Sequence, residues 1–457
     1  MGNVRALALW LGLVVAASGC GGDGSAPGVP IDEEDAGPTD DGDAGEDADL
    51  ADAAEDAGAD AAVLPDAGEG GTNLSECEGD ILDFPAARSA GRPLTAALVG
   101  NRTHLVYLAP SGGGSSGNNT AQGLRYVAFD TSSAPPAPAD LVNVGIDTYN
   151  RTRDPALLAR GQSLDLIYTA TSGSNPFELF SKNVSAGMAP AAETSGNNRV
   201  ETANALGAFG DDLAMLYSSD STTVNTAAPV MLKLQGKSAQ ELVPESQGYH
   251  ASEIAFAAFG EGAALRGVTA FLSDLPSKPG IFVQGVGAAG GPSGELTTLT
   301  TQIGGTSTVD ITAGREGGAL VYTEAPGGTI HQLRFREIDA AGKVSSSVKS
   351  LTNANQNLRD VSIAAYSHGY VVAYRRLGGL PSAQATIYLL FIDAQGNISG
   401  SRLVRTAELT GGGLKVLVAN DGRLIVLWGD TETTTNPVTN KTEIGLRVRV
   451  ARLTCSM

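Results

Sequence analysis

Five short stretches place a carboxylate two residues before a small side chain: Asp154-Pro155-Ala156, Glu201-Thr202-Ala203, Glu253-Ile254-Ala255, Asp310-Ile311-Thr312 and Asp360-Val361-Ser362. Arg153, Arg199, His250 and Arg359 stand just upstream. Carboxylates gathered at one place have three chemical uses. They bind a hard cation such as Ca2+ through oxygen ligands, they hold a polar ligand, or two of them share acid and base work across a glycosidic bond. They also have a structural use, accepting backbone N–H bonds from a neighbouring segment. Five copies favour the structural use, because a single binding site rarely needs five equivalents.

Other motifs carry less chemistry than their spelling suggests. Gly285, Gly287 and Gly290 read G-x-G-x-x-G after an apolar run, the pattern of a dinucleotide-binding turn. Such a turn needs a helix to open behind the third glycine, and Gly291, Pro292 and Gly294 prevent one. The same stretch aligns with Asp339-Ala340-Ala341-Gly342 and Asp393-Ala394-Gln395-Gly396. D-A-x-G is hairpin chemistry, with Gly supplying a positive φ, so a turn is expected at all three places. Gly113-Gly114-Ser115-Ser116-Gly117 matches G-x-S-x-G but lies in a loop with no strand and helix around it. His104, His250, His331 and His368 show no metal-ligand spacing. No catalytic residue and no required cofactor is assigned, Ca2+ at the acids being the one candidate.

The elements that position the acids repeat. A short apolar run, a turn and a second apolar run ending in an aromatic recur through the chain, as in SIAAYSHGYVVAYRR and KVLVANDGRLIVLWGD. The closing aromatics are Tyr107, Tyr168, Tyr217, Phe271, Tyr322, Tyr374 and Trp428, at intervals of 49 to 61 residues. Helical periodicity is nowhere sustained, and glycine, 59 of 457 residues, is abundant enough for many tight turns. Seven units of about four strands resemble a β-propeller in architecture, an all-β ring of four-stranded antiparallel blades. In that architecture the first strand of each blade lines a central channel. Asp154, Glu201, Glu253, Asp310 and Asp360, with Arg359 beside them, would then meet at one mouth of the channel. Units one and seven depart, with Pro93 and Gly413 at the equivalent places. The loops 110–123, 149–154, 244–253, 353–360 and 431–441 vary in length and are the candidate recognition surface.

The last unit supplies only three strand-like runs, while DILDFPA stands unassigned before the first. Pairing that run with the last strand completes a blade from both chain ends and brings Cys77 to Cys455. A disulfide there is expected, two free thiols being the alternative.

Residues 1–20, MGNVRALALWLGLVVAASGC, hold an apolar stretch too short to span a bilayer and end in small residues before Cys20. They resemble the signal and lipobox of bacterial lipoproteins. The resemblance implies lipidation at Cys20, a membrane partner and, from Gly21, the outer membrane. Residues 21–76 contain 18 acidic residues and no basic one, out of 50 and 30 in a chain of net charge −20. Such a segment cannot bury enough apolar surface to fold, so a disordered linker is expected. The rest, 77–457, is nearly balanced in charge and shows no basic stripe, which argues against nucleic acid. The expected function is a monomeric, anchored binding or scaffold module for a protein or glycan. A polysaccharide hydrolase or lyase at the channel mouth, or an accessory part of an envelope assembly, is the alternative.

Overall fold

The computed structural model describes residues 77–86, 94–110, 122–130, 133–136, 139–140, 151–171, 177–187, 189–194, 199–221, 226–314, 316–326, 328, 331–353, 356–367, 369–377, 384–408, 413–435 and 442–455. Cys20, the linker, the Gly113–Gly117 motif and the tips of several loops lie outside them.

Seven four-stranded antiparallel sheets, blades I to VII, follow one another along the chain; six take their strands in sequence order outward from the channel, and the seventh takes its outer strand from Cys77–Ala86. Their inner strands are Leu94–Val99, Arg151–Arg160, Val200–Phe209, Ala251–Phe259, Val309–Ala313, Leu358–Tyr366 and Leu414–Val418. Each inner strand contacts the next around the ring, and the first contacts the seventh. This is the expected seven-bladed propeller. Among the described residues the helical elements are two three-residue turns, Glu245–Gln247 and Gly262–Ala264.

The core lies between blades, because a sheet buries a face only against another sheet. One cluster joins Phe259 and Val268 of blade IV to Ile311, Leu320 and Tyr322 of blade V. Another joins Ile425, Leu427 and Val448 of blade VII to Leu94, Leu105 and Tyr107 of blade I, closing the ring with apolar contact. All seven closing aromatics are at most 3% exposed. Several stack on the third strand of their own blade, Tyr168 on Phe180 and Tyr374 on Tyr388, with centroids 5.6 and 5.4 Å apart. Trp428 is fully buried and packs between blades VI and VII.

The turn expected at Gly285–Gly290 is one of a set. Gly290, Gly342 and Gly396 have φ of 87°, 77° and 78°. In each, the N–H of that glycine donates to the carbonyl three residues back, at Gly287, Asp339 and Asp393. Asp339 Oδ1 accepts from the N–H of Ala341 and Lys343, and Asp393 Oδ1 from Gln395 and Asn397. Those bonds to Gln395 and Asn397 help hold the Asp393 carboxyl below its ordinary range against the opposing effect of desolvation.

Blade VII is completed from both ends. Its outer strand, Cys77–Ala86, pairs antiparallel with Thr442–Cys455, with Cys77 opposite Cys455. The two cysteines form a disulfide spanning 378 residues of sequence. Arg452 reinforces it by pairing with Asp80, which lowers the carboxyl's pKa, and by donating to the carbonyls of Asp130 and Ser133 in blade I. Arg402 of blade VI donates to the Cys77 carbonyl at 2.7 Å. A disulfide belongs to an oxidising compartment, which supports an extracytoplasmic location. Replacing both Cys77 and Cys455 by Ser is expected to lower stability by about 2–5 kcal/mol, from the loop the bond closes. Urea unfolding with and without reductant measures it, and an unchanged midpoint would show that noncovalent closure suffices.

Candidate functional site

An inner strand is the edge of its blade, so alternate N–H groups along it point into the channel. One level illustrates this. Ala96, Leu157, Leu206, Phe256, Ile311, Ile363 and Val416 each pair with the residue two before the closing aromatic of their blade. Four of these N–H groups are met by side-chain oxygens. Thr95 of blade I accepts from Leu157 of blade II at 3.1 Å, Asp310 of blade V from Ile363 of blade VI at 3.1 Å, and Ser362 of blade VI from Val416 of blade VII at 3.2 Å. Asp310 also accepts from its neighbour Ile311 at 2.9 Å. The residues in the position of Thr95, Asp310 and Ser362 on blades II and III are Ala156 and Ala205, and on blade VII Lys415. None of these has an oxygen to offer the N–H of Leu206, Phe256 or Ala96.

Above this level the channel opens as a cavity of about 320 Å3 that touches the inner strands of all seven blades. Its lining is two-sided. Pro155, Ala156, Ala205, Ala255 and Phe256 make the wall of blades II to IV mostly apolar, with Asn204 and Glu253 its polar side chains. Thr306, Thr308, Asp310, Arg359, Asp360 and Lys415 make the side of blades V to VII polar and charged.

The five sequence-predicted acids do not share one position. Glu253 faces the residue after its blade's aromatic, and Asp310 the residue before. Asp154 and Asp360 lie in bulges where the pairing shifts, each at a positive φ, 51° and 50°. Aspartate tolerates that conformation better than most residues. Glu201 faces Ser219, two residues beyond Tyr217, and is fully buried. It accepts from the Ser219 hydroxyl at 3.2 Å. Burial, with the Glu201 and Glu193 charges nearby, pushes the Tyr217 phenol up. Glu253, Asp310 and Asp360 line the cavity, whereas Asp154 and Glu201 do not. Among the described residues no three His, Cys, Asp or Glu side chains converge as a metal site would require.

The lining acids are held by protein donors. Asp310 Oδ2 accepts from Ser362 Oγ at 2.9 Å and pairs with Lys415 Nζ at 3.3 Å. Glu253 accepts from Thr308 Oγ1 at 2.8 Å, and Asp360 pairs with the fully buried Arg375 at 3.3 Å. Of the upstream cations, Arg199 donates to the Ser219 carbonyl and pairs with Glu245 at 3.0 Å. The side chain of Arg153 lies outside the described residues. Sequence reasoning missed Lys415, Thr308 and the level of uncapped N–H groups, which become visible only once strand register is known.

A larger concavity, about 1370 Å3, lies on the opposite face among the hairpins of blades IV to VI. Polar groups there serve the hairpins: Arg336 donates to the carbonyls of Ser345 and Leu299, and Asp339 is engaged as above. The channel mouth is therefore the candidate site.

His250 ties blades III and IV together beside this mouth. Its Nδ1 is 2.6 Å from Asp274 and its Nε2 3.2 Å from Asp220. Hydrogen bonds to Asp220 and then Asp274 outweigh burial and push its pKa up to about 10. The folded state therefore holds the imidazolium more tightly than the unfolded chain does. Its stabilisation is full below the ordinary pKa of 6.5 and fades as pH rises through about 10. His250→Gln should lower Tm clearly at pH 6 and hardly at pH 10.5, measured by calorimetry; an equal loss at both would contradict the charged bridge.

No protein-family model matches the chain, and no curated protein matches it. Solved structures do. An ancestral GH74 enzyme is similar over 78% of this chain and 47% of its own, at 11% identity and a TM-score of 0.48. Two prolyl endopeptidases studied for inter-domain dynamics are represented at 15% identity, TM-score 0.45, over 77% of this chain and 48% of the other. A PL25 ulvan lyase is similar at 9% identity and TM-score 0.47, over 80% and 95%. The chain spans about half the length of the first two. Likeness at this level carries no information about activity.

Proposed function

We propose that the protein is an extracytoplasmic binding module that takes a glycan at the channel mouth and is held at a membrane by lipid on Cys20. The two-sided lining is the observation that supports the ligand class. An alanine-rich wall on blades II to IV, interrupted by Asn204 and Glu253, faces hydroxyl, carboxylate and cationic groups on blades V to VII. A sugar ring has the same division, with C–H faces and a hydrogen-bonding periphery. The cavity, about 320 Å3, suits one sugar unit or a chain end rather than a long segment. Uncapped N–H groups of Leu206 and Phe256 supply donors for its oxygens, and buried or half-buried donors favour a ligand that satisfies them.

Binding is better supported than hydrolysis or elimination. Acid–base work on a glycosidic bond needs a carboxyl free to exchange a proton with substrate. Glu253, Asp310 and Asp360 are each engaged by Thr308, Ser362 with Lys415, and Arg375.

Two experiments test this reading. A glycan array probed with the purified protein should show at least one glycan class, and Ala156→Leu, which narrows the cavity from its apolar wall, should abolish that binding without lowering Tm. Absence of any glycan, or binding indifferent to Ala156→Leu, would remove the channel mouth as the site. For the anchor, Cys20→Ser should move the protein from the membrane to the soluble fraction of cells; retention in the membrane would refute lipid attachment there.

A further inference from the structure

We infer that the ligand carries a carboxylate, as a uronic acid unit does, and that Arg359 is the residue that reads it. The inference rests on the glycan reading above and adds the charge of the ligand to it.

Five charged side chains line the cavity; three are paired with an opposite charge and Glu253 accepts from a hydroxyl. Asp310 and Lys415 pair with each other, Glu253 holds Thr308, and Asp360 holds Arg375. Arg359 lines the same cavity, is half-buried, and among the described residues makes no hydrogen bond or ion pair. That is unusual company for a guanidinium. Leaving a partly desolvated cation without an acceptor costs free energy, and the other described cations near the mouth avoid it: Arg199 has Glu245 and the Ser219 carbonyl, His250 has Asp220 and Asp274.

Geometry also favours a carboxylate. A guanidinium presents a planar fork of donors whose spacing matches the two oxygens of a carboxylate. Arg359 directly precedes the bulge at Asp360, where the strand shifts register between Arg359 and Val361. Across the ring, blades III and IV offer the N–H groups of Leu206 and Phe256 between alanine methyls. A uronate seated with its carboxylate on Arg359 would direct ring oxygens to those donors and its C–H face to Ala156 and Ala205. A neutral sugar would satisfy the donors of blades III and IV and leave Arg359 unmatched.

Saturation-transfer NMR titrations with D-glucuronate, D-glucose and glucose 6-sulfate test this on the intact protein. Glucuronate is expected to bind about tenfold or more tightly than glucose, the scale of a hydrogen bond to a charged group. Arg359→Met should erase that preference, bringing glucuronate affinity to that of glucose for the same variant, while Arg359→Lys, which keeps charge but loses the fork, should retain part of it. Because Arg359 has no partner to lose, both variants should keep the parent Tm. Equal affinity for glucuronate and glucose, or a preference that survives Arg359→Met, would overturn the inference while leaving the glycan reading intact. Tighter binding of glucose 6-sulfate than of glucuronate would overturn the carboxylate assignment. Failure of all three sugars, together with an array that shows no glycan, would remove the glycan reading itself.

Discussion

Closure of the ring is the constraint on which everything else depends. Seven twisted sheets in a row would leave one face of blade I and one of blade VII in water. Packing Ile425, Leu427 and Val448 on Leu94, Leu105 and Tyr107 removes both faces at once. The strand that permits this comes from far away in sequence, since Cys77–Ala86 forms the outer edge of blade VII. Its hold is layered: ten paired residues, the Cys77–Cys455 bond, and Arg452 reaching from the last strand to Asp80 and into blade I. Opening that seam would separate the inner strands from one another, and the channel exists only because they are forced side by side.

Crowding seven edge strands around one axis creates a problem of its own. Each edge presents unpaired N–H groups to a space too narrow for another strand. The sequence resolves this unevenly. Thr95, Asp310 and Ser362 lend oxygens to the next blade, so those blades are joined at the axis as well as through their cores. Ala156 and Ala205 lend nothing at this level, and on their side the blades are joined instead by packing, by Asn204 of blade III donating to the Asp154 carbonyl of blade II, and by His250 between blades III and IV. The contrast separates a stapled arc from an arc left open to a ligand.

The fold was largely legible because its signals are local and repeated. An aromatic closing each second strand recurs at 49 to 61 residues, and all seven are buried where the repeat placed them. The D-A-x-G turns declared themselves by composition, and the orphan run before unit one by the strand missing from unit seven. The site was legible only in part. Asp154, Glu253 and Asp360 fall close to one level, but Asp310 lies two residues deeper and Glu201 is drawn into blade III. A bulge inserts a residue without altering the three-residue pattern around it, and the unit length varies by more than one residue anyway. Register, and with it the direction of each side chain, was therefore hidden. Lys415 escaped notice for the same reason: it stands two residues after Gly413, where the pattern of acids stops, yet the register puts it level with Asp310.

The charge left at the mouth follows from a residue that never touches it. Arg375 lies on the second strand of blade VI and is fully buried, with its Nη2 donating to the Gly429 carbonyl of blade VII at 3.0 Å. A buried guanidinium needs a counter-charge, since removing one partner of such a pair leaves an uncompensated ion in a poor solvent. Asp360 supplies it, and the bulge with its φ of 50° is the backbone change that accompanies this inward reach. Once Asp360 is drawn to Arg375, it is no longer available to Arg359, the residue beside it. An inner-blade ion pair that looks purely structural thereby leaves the Arg359 cation in the channel without the carboxylate beside it. In a chain whose net charge is −20, the site's electrostatic character is set by this local competition for one carboxylate and not by the composition of the whole.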